Sequence, residues 1–247
     1  MLLADGARAL LFSDHSLVHH LSIGKRSAVK SVYVMLVGFV VFTMFIASAD
    51  AQYIDLLKNR SLHHWMTPAG ENVEKGWGYD PDGTLHLQGH GGNIISREKF
   101  GDFELWFEFR IAEGGNSGIK YRVKKYGNSL LGCEYQVLGD EGFPDLARRH
   151  QTASIYDVFA PRANPTKRYT GDKFNVGKIL VQGNRIRHWV NGQLTIDEYA
   201  GSSRWLDAVQ DSKFSNRERF GQNRRGRIML TDHNSEVWYR NVFIARR

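Results

Sequence analysis

The chain has 247 residues, with 42% hydrophobic and 24% charged side chains and a formal net charge of +7 at neutral pH. That composition excludes a disordered chain, and the length suits one sandwich domain with an N-terminal extension. A single cysteine, Cys133, excludes an intramolecular disulfide and a cysteine-based zinc site, and the basic run Arg224-Arg225-Gly226-Arg227 is too short to point to a nucleic-acid partner.

At the N-terminus, Lys25, Arg26 and Lys30 precede an uncharged run over residues 31–49 that ends in Ala47-Ser48-Ala49, followed by Asp50-Ala51. A basic segment, an apolar core and a small-residue site make a secretory signal peptide. Cleavage after Ala49 or Ala51 is expected, leaving residues 52–247 as an exported domain, periplasmic or extracellular. The apolar core is short for a span of about 20 residues, so no stable membrane span is expected after cleavage. Residues 1–24 carry no periodicity and precede the signal peptide, where a mis-assigned translation start would leave them.

Beyond residue 51 the chain reads as strands. Phe103, Leu105, Phe107, Phe109 and Ile111 alternate with Glu104, Trp106, Glu108 and Arg110, giving one apolar and one polar face. Asn116-Ser117-Gly118, after two glycines, reads as a hairpin loop. In Ile119-Lys120-Tyr121-Arg122-Val123, Lys120 and Arg122 lie opposite the apolar set. In Cys133-Glu134-Tyr135-Gln136-Val137, Glu134 and Gln136 share the polar face, and Cys133 falls among the apolar positions as a small buried hydrophobe. Residues 174–181 and 185–190 are two more strands, Asn191-Gly192 is a two-residue hairpin turn, and residues 193–196 return. Residues 205–209 are expected as a short helical turn. Residues 227–231 and 236–245 are expected to close the chain as a final hairpin around Asp232-His233-Asn234-Ser235. Many short strands with Gly and Asn turns predict an all-β sandwich or jelly roll. Loops 139–151 and 202–226 are long enough to form functional walls.

Acidic, amide and aromatic side chains gathered on a sheet face suit sugar binding: hydroxyls meet polar groups and C–H faces meet rings. Trp106, Glu108, Arg122, Glu134, Gln136 and Trp189 are the candidates, and periodicity by itself fits a solvated outer face equally well. His233, at a strand end, is as readily structural as catalytic. No HExxH, P-loop, GxSxG or GxGxxG motif is present. The three-carboxylate strand of retaining sandwich glucanases is absent too, so hydrolysis by paired carboxylates has little support.

Several segments, in order, resemble one known family. They are Gly101-Asp102-Phe103-Glu104-Leu105, Gly115-Asn116-Ser117-Gly118-Ile119 with Tyr121-Arg122, Glu134-Tyr135-Gln136, Tyr156, Phe174-Asn175, Trp189-Val190-Asn191-Gly192, Ser212-Lys213-Phe214, Gly226-Arg227-Ile228, Asp232-His233 and Val237-Trp238-Tyr239-Arg240-Asn241-Val242. Together these are similar to the 3-keto-disaccharide hydrolase family, long known as domain of unknown function 1080. The resemblance implies a concanavalin A-like jelly roll of two antiparallel sheets. It implies an exported enzyme acting on glycosides whose C3 hydroxyl has been oxidised to a ketone, in some members with a divalent cation. A C3 ketone acidifies the C2 proton; a base removes it, the enolate expels the C1 substituent, and water adds back, for a net hydrolysis. Such chemistry needs one tuned base and donors on the enolate oxygen.

The resemblance places Glu134 as an acid/base or metal-binding carboxylate, Arg122 as the oxyanion partner and His233 as a second acid/base. Asn116, Gln136, Tyr156, Asn175 and Trp189 would orient the sugar. Asp232 would orient His233 or, with Glu134, belong to a metal site. Two positions depart from the family: Thr231 stands where a Gln is common, and Phe174 where a Trp precedes the Asn. The alternatives are a non-catalytic carbohydrate-binding module of the same fold and an ordinary glycoside hydrolase.

Overall fold

In a computed structural model of the chain, residues 52–162 and 168–247 are described; the expected signal peptide and residues 1–24 lie outside them. Alternation has its fullest expression in β6 (Phe103–Ile111), where Phe103, Leu105, Phe107 and Phe109 are buried. Five shorter strands precede it: β1 (Tyr53–Asp55), β2 (Trp65–Met66), β3 (Trp77–Tyr79), β4 (Leu85–Leu87) and β5 (Ile94–Ser96). After it come β7 (Asn116–Tyr126), β8 (Ser129–Leu138), β9 (Asn175–Gln182), β10 (Arg185–Val190) and β11 (Gln193–Tyr199). Helix α1 (Ser203–Gln210), capped by Ser202 accepting from the Trp205 N–H, then leads to β12 (Arg227–Asp232) and β13 (Val237–Arg246).

These strands form the two antiparallel sheets of a jelly roll. The large sheet runs β11-β10-β9-β6-β13-β4-β3, with β1 also on β13; the small sheet runs β2-β5-β12-β7-β8. Between them lie Phe103, Leu105, Phe107 and Phe109 of the large sheet and Ile119, Tyr121, Tyr135 and Val137 of the small one, in one apolar cluster. The Phe107 and Tyr135 rings meet edge to face at 5.1 Å, the favoured geometry for aromatic pairs. Cys133 is buried with them, and burial pushes its thiol up to about 12, so it is an inert core residue.

Three local expectations are corrected. Asn116-Ser117-Gly118 is not a hairpin loop but the start of β7, because the chain crosses from the large sheet to the small one between β6 and β7. The final two strands are not a hairpin: β12 pairs with β5 and β7, whereas β13 pairs with β6, β4 and β1. The third correction is a bulge in β7. Its register with β8 shifts between Tyr121 and Lys124, and Arg122 sits at φ 49°. A bulge places two residues opposite one and re-aims a side chain. The residue opposite is Gly132, where an added Cβ would stand 2.3 Å from the Tyr121 carbonyl oxygen.

Candidate active site

The outer face of the small sheet carries Asn116 and Lys120 of β7, Glu134 and Gln136 of β8 and Thr231 of β12. Lys120 stands opposite Glu134, and Gly118 stands opposite both Gln136 and Thr231. Gly118 leaves the space that the Glu134 side chain fills: an added Cβ would lie 2.3 Å from Glu134 Oε1 and 2.9 Å from its Cγ. Glu134 is 6% exposed. Lys120 Nζ lies 3.7 Å from Glu134 Oε2, and Thr231 Oγ1 lies 3.3 Å from Oε1. That hydroxyl is also 3.2 Å from the Gly118 carbonyl oxygen, so its one proton serves one of them at a time. Beside this group, Gln136 Nε2 donates to Asn116 Oδ1 at 3.0 Å.

Two loops wall the face. The Tyr156 N–H donates to the Glu134 carbonyl oxygen at 3.0 Å, and the Ala153 N–H to that of Gln136 at 2.9 Å, so the loop after residue 151 runs along β8. The half-buried Tyr156 ring lies against the His150 ring at 5.0 Å and under Lys213 Nζ at 4.0 Å. Burial and then the Glu134 charge raise the Tyr156 phenol. Asp157 ties the walls together, accepting from His150 Nε2 at 2.7 Å and from the Lys213 N–H at 2.8 Å. His233 stands at the rim. The residue is exposed, yet desolvation by the protein around it holds its imidazole below the ordinary value; Glu134 opposes that shift, and Lys120 and Lys213 add to it.

Of the expected site residues, the fold gathers Glu134, Gln136, Asn116, Tyr156 and His233 around this face. It does not bring Arg122 there. The bulge turns Arg122 to the edge between the sheets, where its Nε donates to the Gly101 carbonyl oxygen at 3.1 Å and its Nη2 to Asp102 at 2.9 Å. Lys120, two residues earlier on the same polar alternation, faces Glu134 instead. Asn175 is a clamp on its own loop, bonded to the N–H and carbonyl of Tyr169 at 2.8 and 2.9 Å. Trp106, Glu108 and Trp189 lie on the outer face of the large sheet, where Glu108 pairs with Arg240.

Asp232 accepts from the backbone N–H of Gly92 and of Asn234, each at 2.7 Å, and so shapes the loop that carries His233. Each of its oxygens accepts a backbone N–H, and Glu134 has an ammonium beside it. Among the described residues no group of three or more His, Cys, Asp or Glu is arranged to hold a metal ion. This donor set does not fit a divalent cation. Lys120, Lys213 and Thr231 are the residues that sequence reasoning did not select. Lys120 was visible on the polar face, but nothing local distinguished it from Arg122.

The family described as the 3-keto-alpha-glucoside-1,2-lyase-like domain matches residues 52–245. The chain belongs to this family. A protein of Bacteroides thetaiotaomicron named 3-keto-disaccharide hydrolase is 29% identical to it, over 77% of this chain and 77% of its own length. A solved Parabacteroides distasonis protein, described as a candidate glycosyl hydrolase, superimposes with a TM-score of 0.70 at 23% identity, covering 79% of this chain and 94% of its own. A second from the same organism, similarly described, gives 0.62 at 18%, covering 79% and 100%. These two show the jelly-roll fold and no more.

Proposed function

We propose that the chain is a carbohydrate-active enzyme that cleaves 3-keto-glycosides by elimination and hydration. One observation carries this reading: a single buried carboxylate, Glu134, set between an ammonium and a hydroxyl on an open sheet face, with His233 close enough to feel its charge. The name of the Bacteroides relative supports the substrate class.

Glu134 takes the C2 proton of the bound keto sugar. The electron pair moves towards the C3 oxygen, where Lys120 supplies positive charge, the part first expected of Arg122. The enolate returns its electrons to form the C1–C2 double bond, and the C1–O bond breaks. The departing oxygen takes a proton from water; the hydroxide so formed adds to C1, and Glu134 returns its proton to C2. His233, kept neutral near pH 7 by its surroundings, polarises that water. Gln136, Asn116 and Tyr156 would hold sugar hydroxyls in this reading.

The test is incubation with a 3-keto-glucoside and with its unoxidised parent, following aglycone release. Release from the keto sugar alone is expected, and Glu134→Gln should lower the rate by roughly 10²–10⁴ while leaving the circular dichroism spectrum unchanged. Equal release from both sugars would identify an ordinary glycosidase, and binding without release a lectin; either outcome overturns the reading.

A further inference from the structure

The outer face of the large sheet carries a row of side chains that the chemistry at Glu134 does not use. Trp106 of β6, Lys178 of β9 and Trp189 of β10 stand directly opposite one another across three adjacent strands, and Phe243 of β13 extends the row beside Trp106. Lys178 Nζ sits 4.6 Å from the Trp106 ring and 4.0 Å from that of Trp189. The two indoles are therefore separated by two strand spacings, roughly 10 Å, with one ammonium between them. Both are partly exposed.

The charges round the row do not balance. Two carboxylates lie near it: Glu104, committed to Arg247 and to the Trp106 indole N–H, and Asp197, which stands opposite Arg187 on β11 and accepts two hydrogen bonds from Arg185. Lys178 Nζ reaches Glu104 only at 4.0 Å. Arg187, whose Cζ lies 5.7 Å from the Trp189 ring, donates to the neutral amide of Gln182, and its Nε is buried without a hydrogen-bond partner. Around the row the cations Lys178, Arg185, Arg187 and Arg247 outnumber the carboxylates Glu104 and Asp197, which leaves net positive charge beside two apolar rings. Burial lowers the Lys178 ammonium from its ordinary value, as expected of a charge held over aromatic surface.

We propose that this row is a second saccharide-binding strip, separate from the Glu134 face, that takes an anionic oligosaccharide such as a uronic-acid chain. Trp106 and Trp189 stack on the C–H faces of sugar rings spaced along the chain, while Lys178 and Arg187 meet a carboxylate. The Arg187 guanidinium adds charge-assisted hydrogen bonding to the point charge of Lys178. A narrow row of side chains across adjacent strands has the shape of a linear glycan rather than of a globular partner. The strip would hold the enzyme on polymeric carbohydrate without occupying its catalytic face.

Titration of the purified chain with oligogalacturonate, read by tryptophan fluorescence and calorimetry, tests this, with a neutral cello-oligosaccharide of equal length as control. Binding of the acidic oligomer is expected, weakened at least about ten-fold by Trp189→Ala and by Lys178→Gln, reduced by added salt and unchanged by Glu134→Gln. Should Trp189→Ala fail to fold, Lys178→Gln decides alone, because that side chain is partly exposed and lies 4.0 Å from its Glu104 partner. The proposal is overturned if the acidic oligomer does not bind, if the neutral oligomer binds equally well, if Lys178→Gln has no effect, or if Glu134→Gln abolishes binding.

Discussion

An ionised carboxylate with almost no water around it needs a compensating charge and hydrogen bonds. Glu134 has both, from Lys120 Nζ at 3.7 Å and Thr231 Oγ1 at 3.3 Å. Lys120 offsets the buried carboxylate in the resting protein, and in the proposed mechanism it would also offer positive charge to an enolate oxygen. Arg122, on the same strand, does neither; its guanidinium is occupied by Asp102 and Gly101. The two basic residues separate experimentally. Lys120→Met is expected to lower kcat on a 3-keto-glucoside by roughly 10²–10³, the usual cost of losing one electrostatic stabiliser. Arg122→Gln should instead cost stability, about 1.5–3 kcal/mol for lost charge-assisted hydrogen bonds, with kcat of the folded protein within a few-fold of the parent. A large loss of kcat in Arg122→Gln with an unchanged melting temperature would restore Arg122 to the catalytic group.

On the scale of single strands, the site depends on how β7 and β8 lie against each other. Ahead of the bulge, Gly118 opens a hollow beneath Glu134; opposite it, Gly132 admits the displaced Tyr121 carbonyl. Gly118 does not need a positive φ, so alanine is allowed by its backbone and fails only on space. Gly118→Ala should thus push Glu134 out of its place between Lys120 and Thr231. The expected result is at least a ten-fold fall in kcat, for an overpacking cost of about 1–3 kcal/mol in stability. Equal activity of this variant and the parent would show that the position of Glu134 is not critical. The strands themselves were legible where alternation runs long, as in β6, β9 and β10. The five strands before β6 were not, since two or three residues are too few to show a period. The bulge was hidden as well: Lys120 and Arg122 occupy equivalent positions in the pattern, and only the backbone turn at Arg122 separates them.

Across the whole molecule, a buried histidine connects the two sheets. His188 of β10, in the large sheet, lies 2.9 Å through Nε2 from the Tyr121 hydroxyl of β7, in the small sheet, and its Nδ1 lies 3.3 Å from the carbonyl oxygen of Ala153 in the wall loop. Burial pushes its imidazole down to about 3. The folded chain thus keeps His188 neutral over a range where the unfolded chain takes up a proton. Its contribution to stability is complete above the ordinary imidazole value of about 6.5 and is lost as the pH falls from there towards 3, at up to about 1.4 kcal/mol per pH unit. The melting temperature should fall across that window, and less steeply in His188→Gln. Identical slopes in the two proteins would exclude His188 as the source.

The sequence by itself determined which residues point the same way along a strand, because the period of two is a local property of extended backbone. It therefore separated Glu134 and Gln136 from Cys133, Tyr135 and Val137, and predicted an all-β sandwich. Only the tertiary structure decided which sheet each strand joins, and so which polar faces coincide. Trp189 and Glu134 both lie on polar faces, but on opposite sides of the molecule. The strands on either side of Asp232-His233 went to different sheets, which left His233 at the rim beside Glu134. Sheet partnership and bulges depend on residues far apart in the chain, and no local pattern records them.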